Sequence, residues 1–173
     1  LGEQLFSENV NIYSDPLNPE IPSSTWSGDG LPVKRTQWVE KGVVKNLSYS
    51  RYWAAQKNVQ PVPFSRSIVM EGGTQSLQDL IKSTEKGILV TRFWYIRSVD
   101  PQTLLLTGLT RDGTFYIENG EIKFPIKNFR FNESPVIMLN NVEALGKPVR
   151  TGSGLIPPMK IRDFTFTSLS DAI

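Results

Sequence analysis

The stretch RDGTFYIENGEIKFP constrains the fold of this chain more than any other, because it places two turn dipeptides around a five-residue strand. Asp112-Gly113 and Asn119-Gly120 are pairs that favour type I′ turns, whose twist matches that of antiparallel strands. The stretch therefore predicts an antiparallel meander rather than a catalytic loop. The strands of this predicted meander are Leu104–Arg111, Thr114–Glu118 and Glu121–Ile126.

Helical and β patterns elsewhere predict an α+β fold, with a mostly antiparallel β-sheet or partly closed barrel and two or three helices. A hairpin is predicted over Thr36–Leu47, and about eight strands in all. Strands are also predicted at Asn9–Tyr13, Ser67–Met70 and Ile88–Val99, with a tail strand that changes phase near Asp163. Helices are predicted at Ser50–Lys57, at Leu77–Lys86 with a Ser76/Asp79 capping box, and from Ser134-Pro135 to Gly146.

Composition excludes several classes of function. The 173 residues suit one domain over 1–173, and they include no cysteine and no histidine. A Ser-His-Asp triad or a Cys-His pair is therefore impossible within the chain, and a zinc site would need carboxylates alone. The net charge of +2 comes from scattered basic residues, so nucleic-acid binding is not expected. No apolar run could span a membrane, and we expect a cytoplasmic protein.

Four segments could carry chemistry, and each has a simpler structural interpretation. Asp112 could pair with Glu118 or Glu121, yet turn geometry and solvent exposure explain these carboxylates as well. Gly28-Asp29-Gly30 lies in a long loop, Ser14–Pro32, and lacks the context of a phosphate-binding loop. The other two segments are Arg150–Gly154, a glycine-rich turn that could bind an anion, and Phe93–Tyr95, an aromatic stripe whose neighbours point to opposite faces of a strand. No catalytic or metal-binding residue is predicted, and the substrate-binding residues stay unknown.

Several motifs, in the same order, resemble the C-terminal part of the TldD/PmbA family. They are YIRSVDPQTL, TGLTRDGTFYIENGEIKFPIKN, the hairpin and helix RTQWVEKGVVKNLSYSRYWAAQK, then VIMLNNVEALG and IPPMKIRDFTF. The resemblance covers nearly the whole chain. Members were once described as modulators of DNA gyrase and are regarded as zinc metallopeptidases. In the family an upstream helix carries HExxxH, and TldD-type members add a C-terminal cysteine near the position of Arg150–Gly154.

The resemblance implies a C-terminal domain without its own zinc ligands, which would supply scaffold, a wall of the substrate cleft and dimer contacts. The start at Leu1 without Met leads us to expect a missing N-terminal half, although trimming for expression would look the same. Zinc is expected in the full-length parent or a partner subunit, the partner being a TldD/PmbA-type subunit in a homo- or heterodimer, and the substrate a peptide. The alternative is a non-catalytic protein-binding module or regulatory subunit of the PmbA/TldE or gyrase-modulator type.

Overall fold

Short strands dominate the computed structural model, which describes residues 1–170. The three helices of this part are α1 (Arg51–Lys57), α2 (Leu77–Lys82) and α3 (Pro135–Asn140). The fifteen strands are β1 (Ile12–Ser14), β2 (Thr36–Glu40), β3 (Val43–Val44), β4 (Ile68–Met70), β5 (Lys86–Val90), β6 (Phe93–Asp100), β7 (Leu105–Thr110), β8 (Thr114–Glu118), β9 (Glu121–Pro125), β10 (Asn128–Glu133), β11 (Val142–Leu145), β12 (Val149–Thr151), β13 (Gly154–Ile156), β14 (Met159–Ile161) and β15 (Phe166–Ser170).

The chain divides into two compact units, and the first consists of Leu1–Thr74 with Lys147–Pro158. Its six strands form one sheet in the order β12-β13-β4-β1-β2-β3. Neighbouring strands are antiparallel except β13 and β4, which meet in parallel. Three buried side chains, Ile21, Val69 and Leu155, form a core cluster against which Tyr13 packs. The long loop after β1 therefore contributes a core residue and is more than a surface excursion.

The predicted hairpin after Thr36 is confirmed, and its turn is held by the N-terminal segment. Lys41 and Gly42 both have positive φ angles, of 46° and 77°, as a two-residue type I′ turn requires. The Gly42 N–H donates to the Val10 carbonyl at 2.9 Å, and the Gly42 carbonyl accepts from Leu5 and Phe6. Chain residues before β1 thus close over the tip of this hairpin.

The second unit consists of Gln75–Gly146 and the segment that begins at Met159. It contains a four-stranded sheet in the order β15-β10-β7-β6, a three-stranded sheet β5-β8-β9 and the pair β11-β14, all antiparallel. Phe131, on β10, is only 5% exposed and packs edge-to-face on Phe93. Phe164 stacks on Phe93 and also contacts Phe131. This aromatic cluster fixes β6 against the centre of its sheet.

The α+β prediction is confirmed, since three helices accompany mostly antiparallel strands. Over residues 1–170 the strands form four separate sheets rather than a closed barrel. Many predicted strands proved shorter than expected and are joined by bends, which is why about eight were predicted where fifteen are present. No helix in this part of the chain is long and apolar enough to cross a membrane.

The meander prediction is half right. Asn119-Gly120, with φ angles of 52° and 77°, closes the hairpin between β8 and β9. Asp112-Gly113 instead carries the chain out of one sheet and into another, because β7 pairs with β6 and β10 while β8 pairs with β5 and β9. A buried hydroxyl contact stabilises this crossover, since Thr114 Oγ1 donates to Thr110 Oγ1 at 2.9 Å.

Two predicted helices end early. The capping box of α2 is confirmed, with Ser76 and Asp79 bonded reciprocally. The helix then stops at Lys82, because the hydroxyls of Ser83 and Thr84 both donate to the Leu80 carbonyl and the chain turns into β5. In the same way α3 ends at Asn140, and the residues from Val142 that were predicted to extend it pair with β14.

The predicted strand Ile88–Val99 is interrupted, so its two halves belong to different sheets. Residues Thr91 and Arg92 separate β5 from β6. The Thr91 N–H and hydroxyl both donate to the Gly113 carbonyl, at 3.1 and 2.9 Å. Hydrogen bonds from Thr91 therefore connect the break between β5 and β6 to the Asp112-Gly113 crossover. The change of phase near Asp163 is confirmed, since Asp163 has φ 54° and separates β14 from β15.

Candidate functional site

Strand β6 is the outer strand of its sheet and is exposed along almost its entire length. Seven of its eight residues are exposed, including Trp94, Tyr95 at 57%, Ile96 and Val99 at 53%. An edge strand presents backbone N–H and C=O groups on its open side, which can pair with another chain. Large apolar side chains on such an edge mark an interaction surface rather than a solvated one. We call β6 with its flanking arginines the β6 edge.

The β6 edge is locally kinked by β-bulges. Its pairing with β7 shifts register between Trp94 and Arg97 and again between Ser98 and Asp100. Tyr95, inside the first bulge, has a φ of 54°, a left-handed conformation that is uncommon for an aromatic residue. Bulges re-aim side chains and occur often beside functional sites. The extra residue interrupts the regular alternation of side chains along β6 between Trp94 and Arg97.

Arginine side chains cover the aromatic rings of the β6 edge. The Arg92 guanidinium lies 4.5 Å from the centre of the Trp94 ring, and that of Arg111 lies 5.4 Å from it. Arg97 lies 4.3 Å above the ring of Tyr95. Each contact is a cation–π interaction, worth about 0.5–1 kcal/mol at an exposed site. The surface therefore combines flat apolar faces with positive charge.

Asp112, the turn carboxylate of the opening motif, binds two of these arginines. It accepts a hydrogen bond from Arg92 and forms an ion pair with Arg111 at 3.5 Å. Glu118 and Glu121, its imagined catalytic partners, have other contacts. Tyr116 donates to Glu118 at 3.2 Å, and the Lys123 ammonium donates to Glu121 at 2.6 Å, which lowers the pKa of the Glu121 carboxyl. The structural interpretation of these carboxylates is therefore the better one.

Strand β9 is a second exposed edge. All five of its residues are exposed, with Ile122 and Phe124 on one face and charged side chains between them. The ring of Phe124 stacks on Tyr116 of β8 at 5.3 Å between centres. This edge is shorter than the β6 edge, and it carries no cation–π pair among the contacts described here.

Gly28-Asp29-Gly30 forms a turn, as its structural interpretation predicts. The Asp29 carboxylate accepts from the Arg51 backbone N–H at 2.9 Å and from the Ser27 hydroxyl at 2.8 Å. These two hydrogen bonds, with that of Arg51 the stronger influence, lower the pKa of Asp29. The segment thus joins the long loop to the start of α1.

The segment Arg150–Gly154 is the turn of the β12–β13 hairpin. Gly152 has a φ of 60°, and the Arg150 Nε–H donates to its carbonyl at 3.5 Å. The arginine thus bends back onto its own turn. The contacts of this segment favour a structural role over the anion site that its composition also allowed.

Within residues 1–170 no group of three or more His, Cys, Asp or Glu side chains comes together in a way that could hold a metal ion. The complete sequence contains neither histidine nor cysteine. A zinc centre of the usual N/S ligand type therefore does not fit this chain.

Sequence reasoning identified the aromatic stripe but missed the arginines beside it. In Arg92-x-Trp94 and Tyr95-x-Arg97 each arginine is two residues from its aromatic partner, a spacing that places both on one face of a regular strand. That spacing was the available signal. Arg111 gave none, because it reaches Trp94 only through the pairing of β7 with β6.

Comparison with known proteins identifies a family to which this chain is similar over nearly its whole length. The model of the PmbA/TldA metallopeptidase C-terminal domain matches residues 1–168. A protein named metalloprotease from Methanothermobacter thermautotrophicus is 28% identical over 170 residues, which are 89% of this chain and 36% of that protein. The zinc metalloprotease TldD homolog of Saccharolobus solfataricus is 22% identical over 88% of this chain and 37% of its own length.

A solved structure matches as well. The crystal structure of a protein from Bacteroides thetaiotaomicron, described as a proposed modulator of DNA gyrase, superposes with a TM-score of 0.87 and 27% identity. The match covers 98% of this chain and 39% of that one. The chain thus spans little more than a third of the length of the relatives it matches.

Proposed function

The chain belongs to the TldD/PmbA metallopeptidase family as its C-terminal domain, and on that premise we propose that it forms part of an enzyme that cleaves peptides or unfolded segments. In this proposal the domain has structural roles: it supplies the scaffold, one wall of the substrate cleft and contacts within a dimer. The zinc ligands and the general base belong to an N-terminal half of the parent or to a TldD/PmbA-type partner subunit. This division is supported by the donor set of the chain, which does not fit zinc.

The β6 edge is the observation that carries the proposal. A peptidase substrate commonly binds as an extended chain, and an extended chain can pair with the open side of an edge strand. Backbone pairing of this kind tolerates many sequences, while pockets for alternate side chains supply selectivity. The aromatic and arginine side chains of β6 would then contact the side chains of the bound peptide.

The remaining assignments are part of the same proposal. The exposed β9 edge, with Ile122 and Phe124, is the surface that we assign to dimer contacts, in a homodimer or a heterodimer. A chain without cysteine suits the reducing cytoplasm.

A second candidate is a non-catalytic protein-binding module or regulatory subunit of the PmbA/TldE type, including action on DNA gyrase. It is favoured by the same missing ligand set, since a subunit without metal would look like this domain. An HExxxH helix encoded upstream of Leu1 would favour the active peptidase. Its absence would favour the regulatory subunit.

Photo-crosslinking tests the position of the substrate. With benzoylphenylalanine in place of Ile96 in the full-length parent, we expect ultraviolet light to attach a bound substrate peptide covalently to β6. The matched control replaces Tyr52, an exposed aromatic residue on α1, and should give no adduct above background. Peptide mapping by mass spectrometry reads out both variants. Equal labelling at positions 52 and 96 would show that β6 does not line the substrate cleft, whether or not the parent is an active peptidase.

A further inference from the structure

A small cavity in the first unit lies between the long loop and the segment before β4. Its volume is about 200 Å3, and most of its lining comes from the loop residues Ser23, Ser24, Trp26, Ser27 and Gly28 and from Phe64–Arg66 of the segment. Trp26 and Phe64, both more than half exposed, provide apolar walls. No carboxylate is among the lining residues, and Arg66 is the one charged residue in the lining.

The hydroxyl groups of Ser23 and Ser65 form a hydrogen-bonded pair in the lining of the cavity. Ser23 Oγ and Ser65 Oγ lie 3.1 Å apart, so one hydroxyl proton lies between them and the other stays available. Ser65 is only 3% exposed, and its oxygen already accepts from the Ser67 N–H at 3.2 Å. Arg66 is exposed, and within residues 1–170 its guanidinium makes no hydrogen bond or ion pair that would keep it from a ligand. A hydroxyl donor and a guanidinium among the lining residues of one cavity favour an anion, which can accept hydrogen bonds from both.

The size of the cavity limits the ligand. Sites for drug-sized ligands have about 300–1,000 Å3, so this cavity has room for one residue rather than for a cofactor. A guanidinium binds a carboxylate through two parallel hydrogen bonds, and the two aromatic walls favour an apolar group next to that carboxylate. The C-terminal residue of a peptide presents both groups together when its side chain is apolar, because its α-carboxylate lies next to that side chain.

We propose that this cavity binds the C-terminal carboxylate and the last apolar side chain of a peptide. Arg66 and the Ser23/Ser65 hydroxyl pair hold the carboxylate, and Trp26 and Phe64 contact the side chain. The proposal deepens the proposed function, because it specifies the end of the peptide that this domain would recognise. It is separable from that function, since binding at this cavity needs neither zinc nor the β6 edge.

Isothermal titration calorimetry of the 173-residue chain tests the site, with N-acetylphenylalanine as the probe. We expect the acid to bind at least about tenfold more tightly than N-acetylphenylalaninamide, because hydrogen bonds to a charged group are worth roughly 1.5–3 kcal/mol. N-acetylglycine should bind more weakly than N-acetylphenylalanine, since it lacks the side chain that Trp26 and Phe64 contact.

Arg66→Gln should reduce the affinity for N-acetylphenylalanine by about tenfold or more. Arg150→Gln is the matched control, because Arg150 is exposed in the same unit and outside the cavity, and it should change the affinity less than twofold. Circular dichroism confirms that both variants are folded. Equal binding of acid and amide, no detectable binding at millimolar concentration, or equal losses in the two variants would each overturn the proposal. None of these results would alter the expected crosslinking at position 96, which tests the proposed function separately.

Discussion

Gly42→Ala is expected to lower the free energy of unfolding by about 2–5 kcal/mol. Gly42 has a φ of 77°, which costs an alanine roughly 1–2 kcal/mol. A Cβ at this position would lie 2.1 Å from the Phe6 carbonyl oxygen and 2.8 Å from that of Ser7. Both obstacles are backbone atoms, so relief requires the N-terminal segment to move, and overpacking of this kind costs about 1–3 kcal/mol more. Urea denaturation followed by tryptophan fluorescence measures the change.

Gly152→Ala is the control that separates the two causes. Gly152 also has a positive φ, of 60°, but no atom lies within 4 Å of where its Cβ would be. It should therefore show only the conformational cost, about 1–2 kcal/mol. If both variants lost the same stability, the close contact between the β2–β3 turn and the N-terminal segment would not exist in solution.

Phe131→Ala is expected to destabilise the chain by about 3–5 kcal/mol, because removal of a large buried ring loses its transfer free energy and leaves a cavity. The ring contacts Phe93 and Phe164, and it lies over Gly108 on the neighbouring strand β7. Phe124→Ala is the matched control, since that phenylalanine is 54% exposed on β9, and it should cost less than about 1 kcal/mol. Thermal unfolding of both variants reads out the difference.

Gly108→Ala identifies the partner of the Phe131 ring. An added Cβ at Gly108 would lie 2.6 Å from that ring, so the single substitution should cost about 1–3 kcal/mol by overpacking. In the Phe131→Ala background the ring is gone and, of the three nearest atoms, only the Trp94 carbonyl oxygen stays close, at 3.1 Å, so the cost should shrink. Additive effects in this double-mutant cycle would contradict the packing of β6, β7 and β10 described above.

Local chemistry made the hairpins and caps predictable from sequence. Asn119-Gly120 and Lys41-Gly42 form the predicted turns with positive φ angles at both positions, which glycine adopts without steric cost at the second position. The Ser76/Asp79 capping box is likewise a contact between residues three apart. Such features need no knowledge of the remainder of the fold, so they were found without it.

Long-range pairing made the other features unpredictable. Asp112-Gly113 has the composition of a hairpin turn, yet the strands on its two sides find partners in different sheets. Residues from Val142 continue a helical pattern but form β11, because β14 offers them a partner strand. Trp94 was identified as part of an aromatic stripe, whereas its contact with Arg111 depends on a register that the sequence does not display.

Metal content and peptide cleavage, measured on the 173-residue chain and on its full-length parent, test the central claim most directly. The claim is that this domain supports a peptidase whose zinc chemistry lies outside it. We expect the chain alone to bind no stoichiometric zinc by plasma mass spectrometry and to cleave no fluorogenic peptide. The parent, alone or with its partner subunit, should do both. Stoichiometric zinc together with peptide cleavage in the isolated chain would contradict the account.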